Sequence, residues 1–313
     1  MSDRALGEAE TEEERAVEAA IASVPAWRGR GASYARITGG ISNSNWRITL
    51  AGERRRYFLK IPGAGTEMFV DRDAANEAAR LAHAKGLGPA VIHFDAASGL
   101  EVTELLEGYR ACTNADFQNT RIQHAAVDCY RRFHAGDTLA LTKTVFDMID
   151  EHIAQVAELG GSRPEDWPWL SRLYENARAA FMASGLDLVP CFNDPMPGNF
   201  LVRDDAPMKL VDYEYASMNE RSYELGVWFG EMFFTEDLAA DLLEAYAGAP
   251  DPRLRARVAV MRALADIKWA TWAMVQERIS TLDFDYHKYG MWKYLRARSI
   301  MHDFRWEAWL RAL

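Results

Sequence analysis

The chain has 313 residues, of which 49% are hydrophobic and 26% charged, with a formal net charge of −10. That balance fits an ordinary soluble globular protein, long enough for one large domain or two lobes. The acidic excess argues against nucleic acid or an anionic membrane as the main partner and suits a cationic small molecule.

Residues 12–24 read as a helix, in an acidic N-terminal stretch that lacks the basic-then-apolar order of a signal peptide. From "YARITGGISNSNWRITL" to "RRRYFLKIPG" the texture becomes strand, glycine turn, strand, turn, strand, with "AGERRR" as the hairpin connection. "VDRDAANEAARLAHAKGLGP" predicts a helix that starts near Asp71 or Asp73 and stops at Gly86, Gly88 and Pro89. "AVIHFDAASGLEVTELLEG" predicts two more strands around the turn "DAASG". After Gly108 the periodicity turns helical, at 114–135, 143–158, 167–185, 221–248, 251–279 and from about 286 to the end. The one strand-like interruption is the pair "CFNDPMPGNFLV" and "MKLVDYEYA". The expectation is an α+β chain: a small antiparallel β-sheet lobe with one helix over 1–107, then a mostly helical lobe over 108–313. There is no internal repeat, and no run of about 18 apolar residues that would predict a transmembrane helix. Cys112, Cys129 and Cys191 have neither disulfide nor metal-site spacing, which fits a cytoplasmic protein whose chemistry does not come from thiols. Monomer and homodimer both remain open.

Several features carry chemistry. In "TGGISNSNW", Gly39 and Gly40 with small polar residues let backbone N–H groups approach a phosphate, although a plain hairpin has the same composition. Lys60 in "YFLKIPG" is either on a solvent face or buried for a purpose, and Glu77 in "AANEAARLA" is either solvated or its partner. Together, a glycine turn, a strand lysine and a helix glutamate are the parts of the ATP-binding lobe of protein-kinase-like folds.

"CFNDPMPGNF" supplies the other half. Its prolines and glycine make a stiff loop that fixes Asp194 relative to Asn199. Asp194 can accept a hydrogen bond from an attacking hydroxyl. Asn199, and Asp212 at the end of the next apolar strand, offer the oxygen ligands that Mg²⁺ wants. Farther on, Trp269, Trp272 and Gln276 share one helical face, Phe284 and Tyr286 alternate after it, and Tyr289 follows. Such a stripe is either core or an aromatic cage for a quaternary ammonium. Glu214 and Glu231 can add negative charge there.

The strings "GGISN", "FLKIPGAGTEMFVDRDAANEAARLAHAKGLGP", "NDPMPGN", "LVDYEYASMNERSYELG" and "WATWAMVQERISTLDFDYHKY" resemble the choline/ethanolamine kinase family, a branch of the aminoglycoside-phosphotransferase-like kinases. The resemblance runs over roughly residues 35 to 295, with 112–185 matching only in helical character. It implies a bilobal protein-kinase-like fold and transfer of the ATP γ-phosphate to choline or a related amino-alcohol such as ethanolamine. It also implies roles. Gly39, Gly40, Ser42 and Asn43 cover the phosphates, and Lys60, where many relatives carry arginine, pairs with Glu77 and the phosphates. Glu104, Leu105, Leu106 and Glu107 form the hinge against adenine. Asp194 is the base, and Asn199 and Asp212 are the Mg²⁺ ligands. The acceptor pocket is Glu214, Tyr215, Glu231, Trp269, Trp272, Gln276, Phe284, Tyr286 and Tyr289, which favours the cage. One departure stands out: the family's histidine two positions before the catalytic aspartate is Phe192 here, so a repacked brace is expected. Two rivals remain. One is a kinase of the same fold for an aminoglycoside, thiamine or a sugar; the other is a non-catalytic nucleotide- or amine-binding protein, suggested only by Phe192.

Overall fold

The computed structural model describes residues 3–37, 43–63, 68–280 and 282–313. Gly39, Gly40 and Ser42 of the glycine turn therefore lie outside the described residues. The chain divides into two compact units, Met1–Tyr109 and Arg110–Leu313.

The first unit holds β1 (Arg4–Ala5), α1 (Glu12–Ser23), β2 (Ala32–Ile37), β3 (Asn43–Leu50), β4 (Arg56–Pro62), α2 (Arg72–Ala84), β5 (Val91–Asp95) and β6 (Leu100–Glu104). The strands form one antiparallel sheet in the order β1-β2-β3-β4-β6-β5. A capping box starts α1, with Thr11 accepting from the Glu14 N–H while the Glu14 side chain accepts from the Thr11 N–H. Asp71 caps α2 through the Ala74 N–H. Alternation along the strands buries Trp46, Ile48 and Leu50 of β3 and Tyr57 and Leu59 of β4 in one cluster with Val17 and Ile21 of α1. Each such aliphatic or aromatic burial stabilises by about 1.5–3 kcal/mol. The same alternation puts Lys60 on the opposite face from Leu59, in register with Asn45 and Glu101.

In the second unit the chain runs through β7 (Arg110–Ala111), α3 (Thr120–His134), α4 (Val145–Glu158), α5 (Trp167–Ser184) and β8 (Leu188–Cys191). It continues with β9 (Phe200–Arg203), β10 (Ala206–Leu210), β11 (Ser217–Glu220), α6 (Arg221–Glu231) and α7 (Glu236–Ala247). α8 (Pro252–Ile279), α9 (Tyr286–Met301) and α10 (Trp306–Arg311) complete it. Two small sheets, β10-β9-β7 and β11-β8, sit among the helices. α8 is the central post, packed by α4, α6 and α9 and buried along most of its length. Gly226 allows α6 to come that close, because a Cβ there would meet the Arg262 backbone nitrogen at 2.9 Å.

Three expectations are corrected here. The helix expected over 221–248 is two helices: Phe233 adopts φ 55°, and Thr235 caps α7 by accepting from the Leu238 N–H. The last helix likewise breaks, where the Asp303 carboxylate accepts from the Arg305 N–H before α10. The strand-like interruption is larger than one pair, since β8 and β11 make a second ladder in which "SMNE" is buried throughout. Among the described residues no helix is long and apolar enough to cross a membrane. All three cysteines are free and buried.

Candidate active site

The site is built on the turn that leaves β8. Phe192 is fully buried, stacked on Tyr130 with centroids 5.7 Å apart and meeting Phe200 and Tyr213 edge-on. An apolar anchor therefore stands where the resemblance implies a histidine. The polar part of the brace falls to Asn193, held at φ 63°, a left-handed conformation that asparagine tolerates better than most residues. Its N–H donates to Glu224 Oε1 at 2.7 Å. Its Nδ2 donates to the Tyr215 carbonyl at 2.7 Å and to Ser217 Oγ at 2.9 Å, and its Oδ1 accepts from Asn219 Nδ2 at 3.0 Å. Asn193 thus staples the loop before Asp194 to the segment that follows Asp212.

Glu224 is itself fixed. Its Oε2 accepts from His134 Nε2 at 2.8 Å, and His134 Nδ1 lies 2.8 Å from the Tyr246 hydroxyl, whose oxygen also accepts from Arg221. A carboxylate can only accept, so Nε2 carries the ring proton and Nδ1 of a neutral ring accepts from Tyr246. The ligand atoms of His134, Cys191 and Glu224 lie within 4.8 Å of one another, a metal-like spacing. His134 and Glu224, however, are already committed to bracing the loop.

Asp194 comes next, half-buried. Asn199 Nδ2 donates to its carbonyl at 2.8 Å and to its Oδ2 at 3.1 Å. Burial, then the neighbouring Asp212 charge, pushes the Asp194 carboxyl well above the usual carboxylate range, while Lys268 opposes. Asp212 follows β10 at φ 70°, a strained position for a residue with a side chain, and the Val211 N–H beside it donates to the Asn199 carbonyl at 3.0 Å. With its nitrogen committed to Asp194, Asn199 has its amide oxygen left to face a cation. That oxygen and the Asp212 carboxylate are hard donors, which fits a hard divalent ion such as Mg²⁺.

The aromatic residues meet in a continuous wall. Tyr215 and Trp269 are edge to face at 5.4 Å, Trp269 and Trp272 at 5.5 Å, and Trp272 reaches Tyr286 at 5.8 Å and Tyr289 at 6.1 Å. Phe284, 41% exposed, closes on Tyr286 at 4.8 Å. Gln276 is half-buried one turn beyond Trp272 on α8, and Glu214 is half-buried two residues after Asp212. Glu231 is buried but already paired, with Lys293 and with Arg296 at 3.0 Å, so its negative charge is balanced inside the chain. Lys268 contacts the wall as well.

The nucleotide-side candidates lie in the first unit. Lys60 and Glu77 are half-buried on β4 and α2, and Asn43 opens β3 opposite Pro62. Glu104 ends β6, its N–H bonded to the Ala90 carbonyl at 2.9 Å, and the Leu105 N–H donates to the Arg56 carbonyl at 3.1 Å before Leu106. Glu107 pairs with Arg56 at 2.8 Å.

Asn193, Glu224, His134 and Lys268 were not singled out from the sequence. Only Asn193 carried a signal, as an asparagine directly before the loop aspartate. His134 and Glu224 are ninety residues apart and read as ordinary helix positions.

Comparison with known proteins supplies the lineage. Residues 34–242 match the model of the family described as choline/ethanolamine kinase. A choline/ethanolamine kinase family protein from Mesorhizobium loti is 27% identical, with a TM-score of 0.82 over 95% of this chain and 98% of that one. The choline kinase LicA of Streptococcus pneumoniae, 20% identical, shares the fold at a TM-score of 0.76 over 94% of this chain and all of that one (100%). Ethanolamine kinase 1 of Homo sapiens is 23% identical, over 90% of this chain and 71% of the human protein. A stiff D-x-x-x-x-N loop, a strand-end aspartate and an aromatic wall thus sit on a protein-kinase-like scaffold, and the family model spans two-thirds of the sequence that builds them: the chain belongs to the choline/ethanolamine kinase family.

Proposed function

We propose that the protein transfers the γ-phosphoryl group of ATP to the hydroxyl of choline, ethanolamine or a related amino-alcohol. The observation that carries this reading is Asp194, held beside Asn199 and Asp212 in the same unit as the wall of Tyr215, Trp269, Trp272, Tyr286 and Tyr289. The names of relatives support the acceptor class, and a LicA structure in complex with AMP supports a nucleotide substrate.

Phosphoryl transfer passes through a loose transition state, so alignment and charge balance do most of the work. Asn199 holds Asp194 Oδ2, leaving Oδ1 to accept the acceptor's hydroxyl proton and to point its oxygen along the line of attack. The raised affinity of Asp194 for a proton, caused by burial and by Asp212, suits a group that takes the proton late. Asn199 and Asp212 would hold Mg²⁺, which when bound neutralises phosphate oxygens. Lys60, steered by Glu77, is assigned to the phosphates, and the backbone of Glu104 to Leu106 to the adenine. The ring wall orients the acceptor by its nitrogen and excludes water.

The test is Mg²⁺-dependent ADP release by the purified protein with a panel of choline, ethanolamine, their N-methylated relatives, aminoglycosides, thiamine and sugars. Turnover confined to amino-alcohols is expected. Turnover only with another class, or with none, removes the reading. Trp272→Ala should raise KM for the amino-alcohol about tenfold, the loss of roughly 1–2 kcal/mol of cation–π contact, with KM for ATP unmoved. A variant that loses thermal stability while keeping its acceptor KM would make the wall core rather than site.

A further inference from the structure

α8 is buried on nearly every side, and its polar groups are almost all answered. Asp266 is paired with Arg296, Arg257 with Glu220 at 3.0 Å, and Thr271 Oγ1 donates to helix carbonyls. Trp272 Nε1 and Lys268 Nζ have no hydrogen-bond partner, and Lys268, 1% exposed, is the one of the two whose side chain can carry a full charge. A buried polar group left in this way costs about 1–3 kcal/mol and asks for an explanation.

Its position offers one. Nζ lies 3.1 Å from the centroid of Trp269 and 4.5 Å from that of Tyr215, in the corner where those rings meet edge to face. Tyr215 is also the residue whose carbonyl is held by Asn193, immediately before Asp194. The chain's own amine therefore occupies the seat over two ring faces that a ligand's cationic head would take. Four charged groups act on it: Asp194 and Glu231 favour its charged form, while Lys293 and Lys143 disfavour it. Burial outweighs them all and holds the amine well below the ordinary lysine range. Glu231 adds little, being already paired with Lys293 and Arg296.

We propose that Lys268 is a specificity-determining residue: seated between Tyr215 and Trp269, it shuts out a quaternary ammonium and selects an amino-alcohol whose nitrogen carries N–H bonds. This rests on the ring wall being the acceptor site. A trimethylammonium group needs ring faces on several sides and has no N–H to donate. In this corner it meets a filled seat and gains no hydrogen bond. A primary ammonium is smaller, can donate to the lone pair that Lys268 Nζ carries in the neutral form favoured by its burial, and keeps the faces of Trp272 and Tyr289 for its remaining contacts. The corner is thus adapted to ethanolamine-like acceptors over choline.

Lys268→Met keeps the chain length and removes the polar atom. Two measurements decide the matter: calorimetric titration of wild type and variant with tetramethylammonium and with methylammonium, and kcat/KM for choline and ethanolamine. We expect wild type to prefer ethanolamine, and K268M to shift the ratio toward choline by about tenfold, the scale of one cation–π contact. Tetramethylammonium should bind K268M about tenfold more tightly than wild type, and methylammonium more weakly. The variant should melt no lower than wild type, because an unanswered buried amine has gone. Tetramethylammonium affinity that is equal in the two proteins, or absent from both, overturns the proposal. If wild type phosphorylates neither alcohol, the proposed function falls, while the calorimetric arm still decides the role of Lys268.

Discussion

Asp194→Asn is expected to lower kcat by about 10²–10⁴-fold, the usual contribution of a positioned acid–base group. The substitution is nearly isosteric, and its remaining carbonyl oxygen can still accept from Asn199 Nδ2, so the loop should keep its shape. What disappears is the acceptor for the hydroxyl proton. Nucleotide binding should survive, because Lys60 and the backbone of Glu104 to Leu106 belong to the other unit. Steady-state kinetics give the first quantity and an ATP-dependent thermal shift with Mg²⁺ the second. Wild-type-like turnover would remove Asp194 from its role; lost nucleotide response with lost turnover would point to a collapsed site instead.

Glu224→Ala should be the most destabilising single change near the site, by about 2–5 kcal/mol, because two buried donors are each left unsatisfied at about 1–3 kcal/mol. It leaves the Asn193 N–H and His134 Nε2 facing a void with no acceptor. It also frees Asn193 from its strained φ of 63°, so kcat should fall together with stability. Glu224→Gln keeps an oxygen for Asn193 but forces His134 to change tautomer, and should lie between Ala and wild type. Urea midpoints with unchanged m-values read the effect. An alanine variant within about 1 kcal/mol of wild type would mean that Glu224 does not support the loop.

How much of this was legible in the sequence follows from where the chemistry sits along the chain. Asp194, Asn199 and Asp212 fall within nineteen residues and are spaced by prolines, a glycine and apolar strands, so pattern and chemistry coincide there. The same is true of Trp269 and Trp272, one helical turn apart. The brace was not legible, because Glu224 meets Asn193 and His134 only through the packing of α3 and α6 around β8. Nor was the break at Phe233, where an aromatic residue takes a conformation that sequence signals reserve for glycine. β11 was missed because "SMNE" is polar in composition, and only the ladder with β8 explains its burial. Lys268 was passed over in the run "LADIKWATWAMV", where a lone lysine on a helix normally reaches water.

Asn193 spends both its amide hydrogens' nitrogen, its side-chain oxygen and its backbone N–H on partners from α6, β11 and the Tyr215 turn. Those groups come free only when β8, β11 and α6 separate, so their exchange with solvent deuterium should be among the slowest in the second unit. The Asn193 end of the loop that carries Asp194 consequently has no soft opening mode of its own. On heating, activity and tertiary structure should vanish in one step, without the loosened but still folded state through which many enzymes first fail.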